Sequence, residues 1–271
     1  MAIITISRGS FAGGKAVAER LSQQLGCPLL SREEVVHQAA QDYGLQESEL
    51  IKLLSESPHF WQQALGKRLA YVKCVTASLF EHARDGNLIH HGHVGHILLS
   101  GIPYVLRIRV IANMDFRIQM AANVEHLTRE QAIAHIQNTD AQRRRWVQTL
   151  YGVDWEDPAQ YTAVLNISQL GVEGTCATIA RMAELPEFQP TAETRRLFEN
   201  QRLASRVWVA LAKNASTRSA GLDVTAKDGE VLIQGSVGSV KAMELIPQLA
   251  GAVEGVKSVR CEAGMGADWY W

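Results

Sequence analysis

The chain has 271 residues, enough for one large domain or two ordinary ones. With 46% hydrophobic and 20% charged residues, its composition excludes a disordered or fibrous chain. A formal net charge of -1 leaves no overall field to attract nucleic acid or an anionic membrane, so any anion site must be built from local groups. The opening MAIITISRGS lacks the basic start, apolar stretch and small-residue cleavage site of a secretory signal. No run of roughly 18 apolar residues occurs, so no bilayer-spanning helix is expected. Cys27, Cys74, Cys176 and Cys261 are scattered without a C-x-x-C pair, which reads as reduced, mostly buried thiols and a cytoplasmic chain.

In chain order, Ala2 to Ser7 is short, apolar and β-branched, as a buried strand should be. A Gly-rich turn follows, and then Lys15 to Leu25 places Val17, Ala18, Leu21 and Leu25 on one helical face, closed by Gly26. Residues 27–31 read as a second short strand, and 32–84 as several helices interrupted at Pro58. Asn87 to His91 is a third strand candidate, and Tyr104 to Ala112 a stronger one carrying Arg107 and Arg109. A helix is expected from Met114 to Val124. Thr128 opens T-x-x-Q, a capping box, before a long helix to Leu150. Tyr161 to Ile167 reads as a strand and Gly171 to Glu184 as a helix. Strands that alternate with helices imply a parallel sheet, so residues 1–184 are expected to form a three-layer α/β domain.

The prolines of LPEFQPT mark residues 185–193 as a linker. Beyond it the pattern is an amphipathic helix from Thr194 to Asn214, a strand from Leu222 to Ala226, a turn at Lys227-Asp228-Gly229 and a partner strand from Glu230 to Val237. A helix from Ser239 to Val253 and a strand from Lys257 to Glu262 complete an αββαβ unit over 194–266, leaving 267–271 as an aromatic tail with Trp269, Tyr270 and Trp271.

The strongest chemical signal is Gly9-Ser10-Phe11-Ala12-Gly13-Gly14-Lys15-Ala16, which fits G-x-x-x-x-G-K between a buried strand and an amphipathic helix. Glycines let successive N–H groups turn inward around phosphate oxygens, the helix N-terminus adds partial positive charge, and Lys15 supplies a full one. A Gly-rich turn without a ligand is the bland alternative, and the placed lysine argues against it. Ala16 stands where a Ser or Thr hydroxyl normally ligates Mg²⁺.

ITISRGSFAGGK at the start and DAQRRRWVQTLYGVDWEDPAQYTAVLNISQL further on resemble the cytidylate-kinase-like family of P-loop nucleoside-monophosphate kinases. The resemblance implies a P-loop kinase fold, ATP with Mg²⁺ as cofactors, and transfer of the γ-phosphoryl group to a CMP-like acceptor. It implies Gly9, Ser10, Gly13, Gly14, Lys15 and Ala16 at the ATP phosphates, and Lys15, Arg117, Arg143 and Arg145 as the cations of transfer. Asp140, three residues before Arg143, shares its helix face and is expected, with Ser31 and His93, on the substrate side. The bland alternative for the arginine run is a solvated face. On the acceptor side, Ser31 stands where the family has Asp, and His93 where it has an arginine. His90, His91, His93 and His96 invite a metal reading, but a hydrogen-bonded strand end is the preferred one and no metal site is assigned.

Residues 194–264 resemble a BON domain through LDVTAKDGEVLIQGSVGSV and the later GVKSV. Gly229 suits the hairpin, while Gly235 and Gly255 suit a turn or a close backbone approach. That resemblance implies protein–protein contact or self-association, hence a homo-oligomer, in preference to membrane contact. Three readings follow: a nucleotide kinase, a catalytically weak nucleotide sensor that signals through the BON-like part, and a scaffold.

Overall fold

The computed structural model describes residues 2–44, 46, 61–92, 94–218 and 221–265. Pro58, His93 and the aromatic tail lie outside these residues. Among them, contacts divide the chain into two compact units, one holding 2–35 and 82–190, the other 36–44, 61–81 and 191–265.

The first unit is built on five parallel strands in the order β2-β3-β1-β4-β5. They are β1 (Ile3–Arg8), β2 (Leu29–Ser31), β3 (Leu88–His91), β4 (Val105–Ile111) and β5 (Ala163–Asn166). β1 is central and buried on both faces, which is why it is rich in β-branched residues and carries no charge before Arg8. The register aligns Ile4 with Ile89 and Leu106, and Ile6 with Ile108. That face packs on α1 (Gly14–Leu25) and α7 (Ile167–Ala183) through Val17, Leu21, Cys176 and Ile179. The opposite face is polar: Thr5 aligns with His90 and Arg107, and Ser7 with Arg109. α1 ends at Gly26, whose left-handed backbone closes the helix as expected.

α2 (Arg32–Tyr43), α3 (Trp61–His82) and the one-turn α4 (Gly95–Leu98) precede α5 (Met114–Glu125) and α6 (Arg129–Tyr151). α6 opens on the expected capping box, Thr128 with Gln131. α5 and α6 pack through Ile118, Ala121, Ala132 and Ile136. Two boundaries differ from expectation. The strand placed from Tyr161 pairs only over Ala163–Asn166, because Asp157 caps a short 3₁₀ turn at Pro158–Gln160 just before it. The helix placed from Gly171 begins at Ile167: the Asn166 side chain accepts from the Ser168 N–H and starts it early, and Gly171 kinks it.

In the second unit, α8 (Ala192–Lys213), β6 (Gly221–Lys227), β7 (Glu230–Val237), α9 (Val240–Gly251) and β8 (Ser258–Met265) have the αββαβ order. β6 pairs antiparallel and β7–β8 parallel. Val207, Leu211, Val231, Ile233 and Ile246 form the core. Gly235 is the close approach anticipated from sequence: a Cβ there would lie 2.0 Å from the Gly221 carbonyl oxygen, at a φ of +125°. Residues from α3 complete this unit, with the Phe80 ring tilted against Phe198 at 5.2 Å and Arg202 donating to Glu81 at 2.7 Å. Among the described residues no helix is long and apolar enough to cross a membrane. The four cysteines are free thiols, Cys27, Cys74 and Cys176 buried and Cys261 partly so.

Candidate functional site

The loop between β1 and α1 forms a cradle. Gly13 caps α1 in a left-handed conformation, φ 73°, and a Cβ on it would come within 2.8 Å of Ile167. A Cβ on Gly14 would meet Arg8 at 2.7 Å, so the chain there closes directly over that side chain. Lys15 opens α1 with an exposed ammonium 3.7 Å from Glu19, and Ala16 beside it is exposed. Phe11 anchors the loop from the other side: its ring meets His135 edge-on at 5.6 Å and packs on the α5–α6 core.

Around Ser10 the expected cations converge. Arg117 on α5 donates from Nε to the Ser10 carbonyl at 2.7 Å and ion-pairs with Asp140. Arg143 on α6 donates to the Ser10 hydroxyl at 2.7 Å and lies 3.6 Å from Asp140. Asp140 in turn accepts from the Ser10 N–H at 3.0 Å and its hydroxyl at 2.8 Å. An inward N–H of the loop and two guanidinium groups thus point at one carboxylate, in the arrangement that suits a phosphate. Asp140 and Arg143 sit one turn apart on α6, as their spacing implied. Of the arginine run, Arg143 reaches the loop, Arg144 pairs with Glu156, and Arg145 is exposed. Ser31 caps α2: its hydroxyl accepts from the Glu34 N–H at 3.1 Å and its own N–H donates to the Glu34 carboxylate at 2.6 Å. His93 lies outside the described residues.

Sequence reading passed over Arg8 and Arg32. Arg8 ends β1, and its Nε donates to His91 Nε2 at the end of β3, at 2.6 Å. Arg32 opens α2, beside Gly92. Burial lowers the pKa of both; Arg32 adds to the fall for Arg8 while Glu33 and Asp140 oppose it, and Glu33 and Tyr151 oppose it for Arg32. Arg143 is lowered to about 10, first by burial and then by repulsion from Arg8, partly offset by Asp140. Arg8, Arg32, Arg117 and Arg143 therefore share one region with the half-buried Asp140, and the exposed Glu33 acts on Arg8 and Arg32 from its edge. One signal for Arg8 was available: a charged residue closing an otherwise uncharged central strand, next to the loop.

Burial also keeps His90 and His91, at the end of β3, and His96, in α4, neutral. It lowers His90 to about 4, His91 to about 3 and His96 to about 3, with Arg8 and His90 adding to it for His91, and Arg107 and Arg109 for His96. The His90 Nδ1–H faces the Leu30 carbonyl at 3.1 Å, and His91 Nε2 must be unprotonated to accept from Arg8. An unfolded imidazole, with a pKa near 6.5, takes up a proton well before these rings do. Below pH 6.5 the unfolded chain binds more protons, so stability falls with pH toward the native values of 3 to 4. Each ring is expected to contribute a slope of about 1.4 kcal/mol per pH unit within that window. Urea unfolding at pH 7, 6 and 5 measures it, and a flat profile would refute the neutral, buried state of the rings.

The cradle does not fit a divalent ion held by side chains. Ala16 presents a methyl group where a hydroxyl would be needed, and β3, beside β1, ends in His91, engaged with Arg8, instead of an acid. Both Asp140 oxygens are taken by Arg117 and Ser10. Among the described residues no three His, Cys, Asp or Glu side chains gather as a metal site.

The model of the cytidylate kinase-like family matches residues 3–169. The chain belongs to the cytidylate kinase-like family. A BON domain model matches residues 199–263. Curated relatives include a protein named cytidylate kinase from Ignicoccus hospitalis, 24% identical over 183 residues, covering 67% of this chain and 99% of the relative. Another of that name, from Staphylothermus marinus, is 26% identical over 186 residues, covering 68% and 97%. Among solved structures, an uncharacterized protein from Eubacterium ventriosum matches with a TM-score of 0.53 at 17% identity, covering 67% of this chain and 98% of that one. This cytidylate kinase-like chain thus has the kinase-like nucleotide-binding fold, and a separate small mixed-sheet domain follows it.

Proposed function

We propose that this chain binds ATP in the cradle of Gly9, Ser10, Gly13, Gly14 and Lys15 and passes the γ-phosphoryl group to a nucleoside monophosphate, with a CMP-like acceptor. The observation that carries the reading is the convergence of Arg117 and Arg143 on Ser10. Phosphoryl transfer asks a protein mainly to hold two anions in line and to neutralise charge on the moving group. Loop N–H groups and Lys15 hold the donor phosphates. Asp140 holds the two arginines at the loop by salt bridge until a phosphate displaces it, and Arg117 and Arg143 then cover the transferring group. Arg145, on the exposed side of α6, would join them only through a movement of that helix. Ser31 and His93 lie at the acceptor side by family resemblance. Relatives named cytidylate kinase support the acceptor class. A cytoplasmic setting, and a protein partner or a second copy on the BON domain, belong to the same proposal.

A second reading, a nucleotide sensor with little turnover, is favoured by Ala16, which removes the usual metal ligand. The test is a screen of nucleoside monophosphates with ATP, following ADP release and thermal stabilisation together. Turnover with a cytidine acceptor is the expected outcome. Stabilisation by ATP without turnover on any acceptor would refute the kinase reading and leave the sensor. Lys15→Ala is expected to weaken ATP at least tenfold, since hydrogen bonds to charged groups are worth about 1.5–3 kcal/mol, with an unchanged unfolding midpoint because the side chain is exposed. Calorimetry showing wild-type affinity would remove Lys15 from the site.

A further inference from the structure

We propose that the cradle takes its nucleotide phosphates as the metal-free anion, with Arg8 and Arg32 supplying charge that a divalent ion supplies elsewhere; this rests on the phosphate-binding reading above. A kinase fold usually divides the charge of a triphosphate between loop N–H groups, a lysine and a metal held by a hydroxyl and a strand-end acid. Here the hydroxyl is a methyl, Ala16, and the strand-end acid is a histidine, His91, whose Nε2 accepts from Arg8. The positions that would recruit a cation instead hold a neutral group and orient another guanidinium.

The charge around the loop is lopsided in the same sense. Arg8, Arg32, Arg117 and Arg143 repel one another closely enough to affect Arg143, and Asp140 is the one acid that offsets them there. Four half-buried guanidinium groups against two carboxylates, the half-buried Asp140 and the exposed Glu33, are an unfavourable arrangement without a further anion. Asp140 occupies the place of such an anion, accepting from the loop N–H and pairing with Arg117 and Arg143. A polyphosphate that displaces it meets a pocket whose cations are already assembled, and an added divalent ion would be repelled by them. Arginine, always charged and able to grip phosphate oxygens in pairs, suits that role better than lysine.

Calorimetric titration of ATP into the full chain, once with excess MgCl₂ and once with EDTA, tests this. The expected result is dissociation constants within about threefold of each other. Tightening by tenfold or more with Mg²⁺ would overturn the inference while leaving the phosphate cradle standing. No binding under either condition would overturn both. Arg32→Gln, at a half-buried helix start, is expected to weaken ATP in EDTA at least fivefold without lowering the unfolding midpoint, since it removes a repelled cation. Wild-type affinity in that variant would remove Arg32 from the site.

Discussion

Replacing Asp140 by Asn is expected to cost about 3 kcal/mol of unfolding free energy in phosphate-free buffer, and to tighten triphosphate binding in the same variant. The Asp140 and Arg117 side chains are only 15% and 14% exposed, so their pair is effectively buried. Breaking a buried pair from one side leaves an unscreened charge, and here Arg143, 3.6 Å away, is left facing Arg117 as well. The amide still has an oxygen for the Ser10 N–H, so the loss reports charge and not a missing loop contact. A phosphate replaces the missing charge. Added inorganic triphosphate should therefore restore most of the stability of Asp140→Asn while raising that of the wild type less. Urea unfolding of both proteins with and without triphosphate measures the four values. Equal stabilisation of the two by the anion would show that Asp140 does not occupy the phosphate position.

Trp155→Ala should lower stability by about 4 kcal/mol, in the range of buried tryptophan truncations. Trp155 is fully buried, at 0% exposure, and its indole stacks under the Arg109 guanidinium at 4.4 Å. Its carbonyl also accepts from Arg109 and, at 2.6 Å, from the Tyr161 hydroxyl. Alanine keeps those carbonyl contacts but opens a cavity and strips the face of a buried cation that Glu156 only partly balances. A more conservative Trp155→Phe restores an aromatic face and should recover a large part of the loss. If both variants unfolded at the wild-type midpoint in denaturant, the stacking would carry no weight in this fold.

These residues show unequal legibility. The strand–loop–helix start was readable because two periods change sharply across Gly9 to Lys15, and glycines with a lysine mark the change. The αββαβ order was readable for the same reason, and Asp228-Gly229 between alternating runs marked its hairpin. Asp140 and Arg143 could be placed on one helix face by spacing alone, but not their target, since Ser10 lies 130 residues earlier. Ser31 read as an acceptor-side residue, and the structure engages both its hydroxyl and its N–H in a helix cap.

What the sequence determined by itself is local: where strands and helices form, which loop turns its N–H groups inward, and that Ala16 offers no oxygen to a metal. Only the tertiary structure decided that Arg8 and Arg32 stand near Arg143, and that His91 orients Arg8 where an acid would hold a cation. The reason is physical. Periodicity reports which face of an element is buried, whereas charge balance depends on which ends of separate strands are brought side by side, and the parallel order β2-β3-β1-β4-β5 sets that.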